Sequence, residues 1–201
     1  MNPTEGDRGT MPSIKGTKTE KNLLAAFAGE SQARNRYTYA ASVARKEGYR
    51  QIEAMFIETA ENEREHAKVF FKYLEGGPVE ITATYPAGIT RTTLENLEAA
   101  ASGEREEWAE VYPHFAAVAR EEGFPSVAES FEMIAKAEAA HEARYRKLAE
   151  NIKAGKVFKK DEPVQWKCRN CGYVEEGAEA PHECPACRHA REHFEVLEGN
   201  Y

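Results

Sequence analysis

The sequence sets glutamate and histidine three residues apart twice, in Glu63-Arg64-Glu65-His66 and in Glu138-Ala139-Ala140-His141. On a helix this spacing puts a carboxylate and an imidazole side by side on one face, where they can share a metal ion. Two further glutamates, Glu30 and Glu104, stand 33 and 34 residues before Glu63 and Glu138. Gly29-Glu30 is echoed by Gly103-Glu104, and a phenylalanine precedes each pair by two turns, as Phe56 and Phe131. The chain thus holds an internal repeat, and the residues it repeats are ones able to bind cations. His141-Glu142 is followed by Tyr145 where a zinc protease of H-E-x-x-H type needs histidine, so that chemistry is excluded.

All four cysteines fall in a second cluster, Cys168-x-x-Cys171 and Cys184-x-x-Cys187. In a reducing compartment such a cluster reads as metal ligands rather than disulfides. Tetrahedral zinc and iron share this geometry, so spacing leaves the metal open. Trp166, Tyr173 and Phe194 can shelter it. Beside a redox-active metal pair iron becomes the expected occupant, because such a pair needs a supply of electrons.

Helices must carry the first set. Thr17 with Glu20, Thr92 with Glu95 and Ser126 with Glu129 have capping-box spacing, and Gly48, Gly76 and Gly123 stand where helices should stop. These signals predict helices over about 18–47, 50–75, 93–122 and 126–154, with a kink at Pro113. The short first and third connections make antiparallel hairpins. The segment from Gly76 to Arg91 is long enough, at about 3.3 Å per residue, to run back along a helix of about 39 Å. The expected fold is an all-α four-helix bundle with one long crossover, plus a small C-terminal metal-binding domain.

Each helix has an apolar stripe interrupted at its middle by an acid. The stripes run Leu23, Ala26, Phe27, Glu30, Ala33, Tyr37; Ile52, Phe56, Thr59, Glu63, His66, Phe70; Leu97, Ala101, Glu104, Trp108, Val111, Phe115; and Phe131, Ile134, Glu138, His141, Tyr145, Leu148. Four buried carboxylates facing one another are not tolerated without cations. Two lone glutamates with two Glu-x-x-His pairs form the ligand set of di-iron and di-manganese carboxylate bundles. The repeat breaks at Glu107, whose counterpart is Ala33. Four carboxylates balance two ferrous ions and two ferric ions carry more charge, so Glu107 is expected to bind in the oxidised state and neutral His66 in the reduced state.

The remaining expectations come from composition. The 201 residues are 41% hydrophobic and 30% charged, with a net charge of −7 that argues against nucleic acid and anionic membrane as partners. No apolar run approaches the roughly 20 residues of a membrane span. The N-terminus lacks a signal-peptide core, so a cytoplasmic protein is expected. Residues 1–14 are expected as a disordered extension, 15–155 as the bundle, and 156–201 as a linker (charged over 155–165) with the cysteine domain.

From about Lys15 onward the chain resembles the rubrerythrin family. The resemblance is carried by LLAAFAGESQARNRY (Leu23–Tyr37), ETAENEREHAKVFF (Glu58–Phe71), YPAGITRTTLENL (Tyr85–Leu97), AEAAHEARY (Ala137–Tyr145) and CRNCGY…CPAC (Cys168–Cys187). It implies a ferritin-like di-iron bundle with a rubredoxin-like Fe(Cys)4 domain, and three irons per chain that zinc or manganese can replace. Glu63 and Glu138 are then bridging carboxylates, Glu30 a terminal ligand of one iron, and Glu104 and His141 of the other. Glu107 and His66 exchange at the first iron, and Tyr37 and Tyr112 lie near the pair. The implied activity is reduction of hydrogen peroxide to water, with electrons from rubredoxin or an NAD(P)H-dependent reductase. The implied assembly is a homodimer or larger, with one subunit's cysteine module near another's di-iron site. A ferroxidase or iron-storage protein, an oxygen-consuming oxidase and a colourless zinc-ribbon adaptor are the alternatives.

Overall fold

Four apolar stripes of this length bury themselves by packing along one another, and the chain does so as two hairpins. A computed structural model describes residues 12–88 and 90–199. Helix α1 (Lys18–Lys46) pairs with α2 (Arg50–Phe71). The third rod is α3 (Thr93–Glu106), a π-helical turn (Glu107–Val111) and α4 (Tyr112–Glu121), and it packs against α5 (Pro125–Lys153). Gly48 and Gly123 close the hairpins at φ of 79° and 84°, which side-chain-bearing residues rarely adopt. The repeat extends to the clasp between hairpins. Glu47, after α1, accepts the N–H of Thr93 at 3.0 Å, and Glu122, after α4, accepts those of Lys18 and Thr19 at 3.1 and 2.8 Å. Each glutamate satisfies free amides at the start of the other hairpin and sits at the positive end of its dipole. The 76–91 crossover runs past α1, where the Tyr85 hydroxyl donates to the Ala25 carbonyl.

The core is split. One apolar cluster holds Phe56, Leu97 and Tyr145; the other holds Leu23, Phe70 and Phe131. At about 1.5–3 kcal/mol for each large side chain buried, the two ends stabilise a bundle whose middle layer is acidic.

Several local expectations are corrected. The third rod is not one helix kinked at Pro113, because the π turn precedes the proline and Tyr112 N–H bonds back to the Glu107 carbonyl. The extra residue rotates everything after it: Tyr112 and Ala116 are buried, one place beyond the expected Val111 and Phe115. Helix α2 stops at Phe71, short of 75, and Glu75 turns to accept from Ile14 N–H and Ser13 Oγ at 2.7 and 2.8 Å. Ile14 is buried, so the bundle begins inside the expected extension; residues 1–11 lie outside the described residues. Helix α5 starts at Pro125, whose fixed φ suits a first turn, so Ser126 is not its cap. A reciprocal capping box forms at Thr92 and Glu95, whereas Glu20 reaches Gly16 N–H beside Thr17.

The expected charged linker is mostly strand. β1 (Lys159–Cys168) is central to a sheet of order β2-β1-β3 with β2 (Val174–Glu179) and β3 (Phe194–Val196). Pro163, with no N–H to donate, lies where the β1–β2 register shifts. This domain rests on the α1–α2 turn, where Tyr49 and Phe158 stack at 6.2 Å and Arg50 Nε donates to Glu192 at 2.9 Å. No helix among the described residues is long and apolar enough to cross a membrane.

Candidate metal centre

The bundle brings Glu30, Glu63, Glu104 and Glu138 to one depth, each at most 1% exposed. With the histidines they form two sets of four donors, each lying within 4.8 Å of one another. One set is Glu30, Glu63, His66 and Glu138; the other is Glu63, Glu104, Glu138 and His141. Glu63 and Glu138 belong to both.

In the first set His66 Nδ1 lies 3.0 Å from Glu63, 2.8 Å from Glu138 and 4.0 Å from Glu30. In the second, His141 Nδ1 lies 2.8 Å from Glu138, 3.3 Å from Glu63 and 3.7 Å from Glu104. Donors about 2.1 Å from a shared cation stand about 3 Å from each other. His141 Nδ1, both oxygens of Glu138 and one each of Glu30, Glu63 and Glu104 are buried with no hydrogen-bond partner. Although His141 Nδ1 and Glu138 Oε2 are 2.8 Å apart, they do not point at each other in hydrogen-bonding geometry. Donors packed this closely without bonding one another suit a shared cation. Buried oxygens left this way are costly, and cations between them would offset that cost.

The free oxygens are held in place from outside. Tyr37 donates to Glu104 Oε1 at 2.6 Å, and Tyr112 donates to Glu30 Oε1. These bonds are reciprocal across the repeat, yet Tyr37 follows Glu30 by seven residues and Tyr112 follows Glu104 by eight. The π turn supplies the additional residue and begins at Glu107, where the repeat breaks. Glu107 is half-buried and belongs to neither set of four. Its carboxyl is pushed well up by burial and then by the charges of Glu104, Glu138 and Glu63.

Protons stand in for cations in the remaining electrostatics. Burial alone would depress the histidines, but the carboxylates packed around them favour the protonated rings and outweigh it, raising His66 to about 10 and His141 to about 12. Burial and the charges of Glu63 and Glu138 lift Glu104 to about 8, against the pull of His141. Burial likewise pushes Glu30 well up, helped by Glu138 and Glu63. Burial acts upward on Glu63 too, but both imidazoles hold it down at about 2.

In the C-terminal domain the four sulfurs lie within 4.8 Å of one another. Cys168–Cys187 and Cys171–Cys184 are 3.8 and 3.6 Å apart, far beyond a disulfide bond. Metal–sulfur bonds of about 2.3 Å in a tetrahedron give a sulfur spacing of about 3.8 Å. Trp166, Phe194, Cys168 and Cys184 are buried, with Tyr173 packed partly against them. The His189 amide favours the thiolate of Cys187 and brings it down to about 6.

The profile of the Rubrerythrin family matches residues 21–149. The chain belongs to the rubrerythrin family. The rubrerythrin rubredoxin-like domain matches residues 166–195, the cysteine module. A rubrerythrin from Clostridium perfringens is 60% identical over 195 residues, covering 95% of this chain and all of that one. Nigerythrin in its fully reduced, all-ferrous state is 30% identical with a TM-score of 0.61 over 98% of both chains. A Desulfovibrio desulfuricans bacterioferritin, solved with its diiron site in different catalytic states, is 27% identical with a TM-score of 0.60, covering 69% of this chain and 82% of that one. The bundle of this rubrerythrin-family chain is thus ferritin-like.

Some residues around the centre depart from the sequence pattern or were not marked by it. Trp108, expected in the buried stripe, is swung aside by the π turn and donates to Glu142 at 2.5 Å, which Arg146 also holds at 2.6 Å. Glu142 beside His141 is buried, a position no periodicity singled out. Tyr85, Gln32 and Arg36 line a cavity next to Glu107, and Tyr85 comes from a crossover with no periodicity to place it.

Proposed function

We propose that this chain reduces hydrogen peroxide to water at a di-iron centre in the bundle, fed with electrons through an iron held by Cys168, Cys171, Cys184 and Cys187. The observation that carries this reading is the pair of donor sets sharing Glu63 and Glu138, buried with unpartnered atoms, in one chain with a tetrathiolate module. Its similarity to an all-ferrous nigerythrin and a diiron bacterioferritin supports iron in the bundle.

Glu63 and Glu138 would bridge the ions, Glu30 and His66 would hold one, and Glu104 and His141 the other. When bound, two ferrous ions supply the two electrons that one O–O bond requires. The protein's own share is positional and protic. Tyr37 and Tyr112 each occupy one oxygen of a glutamate and leave the other turned inward. The split apolar core walls off the ends of the site from water. Glu107, whose carboxyl burial pushes up, lies between the acid layer and the neighbouring cavity and would protonate the departing oxygen. His66 and Glu107 are the pair proposed to exchange as the charge on the ions changes.

Within one chain the cysteine module meets α2 at Arg50, 13 residues before Glu63, which is about 20 Å of helix. A homodimer or larger assembly that brings another copy's module closer is part of the proposal, as is an electron donor of the rubredoxin or NAD(P)H-reductase kind. The test is a comparison of iron-loaded wild type with Cys171→Ala and Cys184→Ala. The variants should oxidise once with peroxide after chemical reduction but fail to turn over with the donor protein. Undiminished turnover in both would refute the electron route, and ferric iron accumulating without peroxide consumption would favour iron storage.

A further inference from the structure

A cavity of about 260 Å³ lies between α1, the crossover and the π turn. Its mouth includes exposed Ala83 and Pro86; Ala25, Val111 and Phe115 give it an apolar side, and Gln32, Arg36 and Glu106 are its polar lining beside Glu107. Tyr85 offers this space its ring, since its hydroxyl is engaged by the Ala25 carbonyl. At the inner end stand Glu107 and the buried Tyr112, which is bonded to Glu30 of the acid layer.

Hydrogen peroxide does not need such a space. Its two oxygens occupy roughly the volume of two waters, about 60 Å³, so the cavity is about four times larger. Nor does an apolar wall offer anything to a molecule polar at every atom. A cavity with one apolar side and a set of polar groups that includes Glu107 fits a ligand built the same way. We propose that it admits small organic hydroperoxides, with the alkyl or aryl group against the alanines and the hydroperoxy group beside Glu107.

This inference rests on the peroxide-reductase reading and extends its substrate class. The O–O bond takes up two electrons and two protons; the oxygen on carbon leaves as an alcohol and the other as water. The electrons come from the reduced metal pair, which the same one-electron donor restores. Each substrate methylene buried against the wall should strengthen binding about fourfold.

Two measurements on the full-length protein test this. The first follows binding of 2-phenyl-2-propanol, the alcohol formed from cumene hydroperoxide, by ligand-observed NMR. The second mixes reduced, iron-loaded protein with cumene hydroperoxide or hydrogen peroxide and follows metal oxidation and alcohol formed. Ala83→Phe and Ala25→Leu fill the cavity from different elements, so the test survives if one variant fails to fold. Wild type should bind the alcohol saturably and form it from the hydroperoxide in step with metal oxidation. Both processes should weaken about tenfold or more in the variants, while the hydrogen peroxide reaction is kept. Normal oxidation by hydrogen peroxide, with no alcohol binding and none formed, would overturn the inference alone. Equal loss with both peroxides in the variants would overturn the cavity's role in selection. Oxidation by neither peroxide in wild type would overturn the peroxide-reductase reading, and the inference with it.

Discussion

Adding a divalent metal to metal-free protein at pH 7 sets cations against protons that occupy the same donors. His66, His141 and Glu104 stand at about 10, 12 and 8, so each holds a proton at that pH, and each must lose it to bind a metal. Loading one metal pair should therefore release at least three protons, with more from Glu30, which is also pushed up. Below about pH 8 the combined loading constant should rise by at least about a thousandfold, or about 4 kcal/mol, per pH unit. Above it Glu104 has already ionised, and the dependence should fall by one proton. Calorimetric titration in buffers of different ionisation enthalpy counts the protons directly. Release of fewer than one proton per pair would show that these groups do not converge on the metal and would refute the argument.

Glu107→Ala should lower single-turnover oxidation by peroxide by about a hundredfold, the usual contribution of a positioned acid, and shift the potential of the metal pair; rapid-mixing absorbance and redox titration check both. Tyr37→Phe leaves Glu104 Oε1 without its donor and should destabilise the metal-free fold by about 1–3 kcal/mol in urea unfolding. Stability of the metal-free protein should fall as pH rises. The histidines, raised from 6.5 to about 10 and 12, stabilise fully below 6.5 and lose that contribution above it, and Glu104 loses its own between 4.5 and about 8. The metal-loaded protein should show the opposite slope over pH 6–8 in thermal melts, because there the unfolded chain binds more protons.

Much of this was legible in the sequence because the acids repeat in step with the helices. Glu30, Glu63, Glu104 and Glu138 each interrupt an apolar stripe, and a stripe can be buried only one way. Helix ends were less legible where a tertiary contact decided them. Glu75 leaves α2 to hold Ser13 and Ile14, residues far away in the chain. The π turn was hidden because a single extra residue leaves no compositional mark. Its trace was a mismatch in spacing, seven residues from Glu30 to Tyr37 against eight from Glu104 to Tyr112, which becomes informative only once both tyrosines are known to bond across the repeat. The cavity beside Glu107 was not legible, since the crossover that completes it has no periodicity to fix where Tyr85 lands.

Every role assigned above depends on two metal ions between the paired donor sets. Anomalous diffraction at the iron edge from crystals of iron-loaded protein tests for them most directly. Two iron peaks are expected in the bundle, each within bonding distance of Glu63 and Glu138, and a third among the four cysteines. A bundle with full iron at the cysteines and none between the glutamates would contradict those roles.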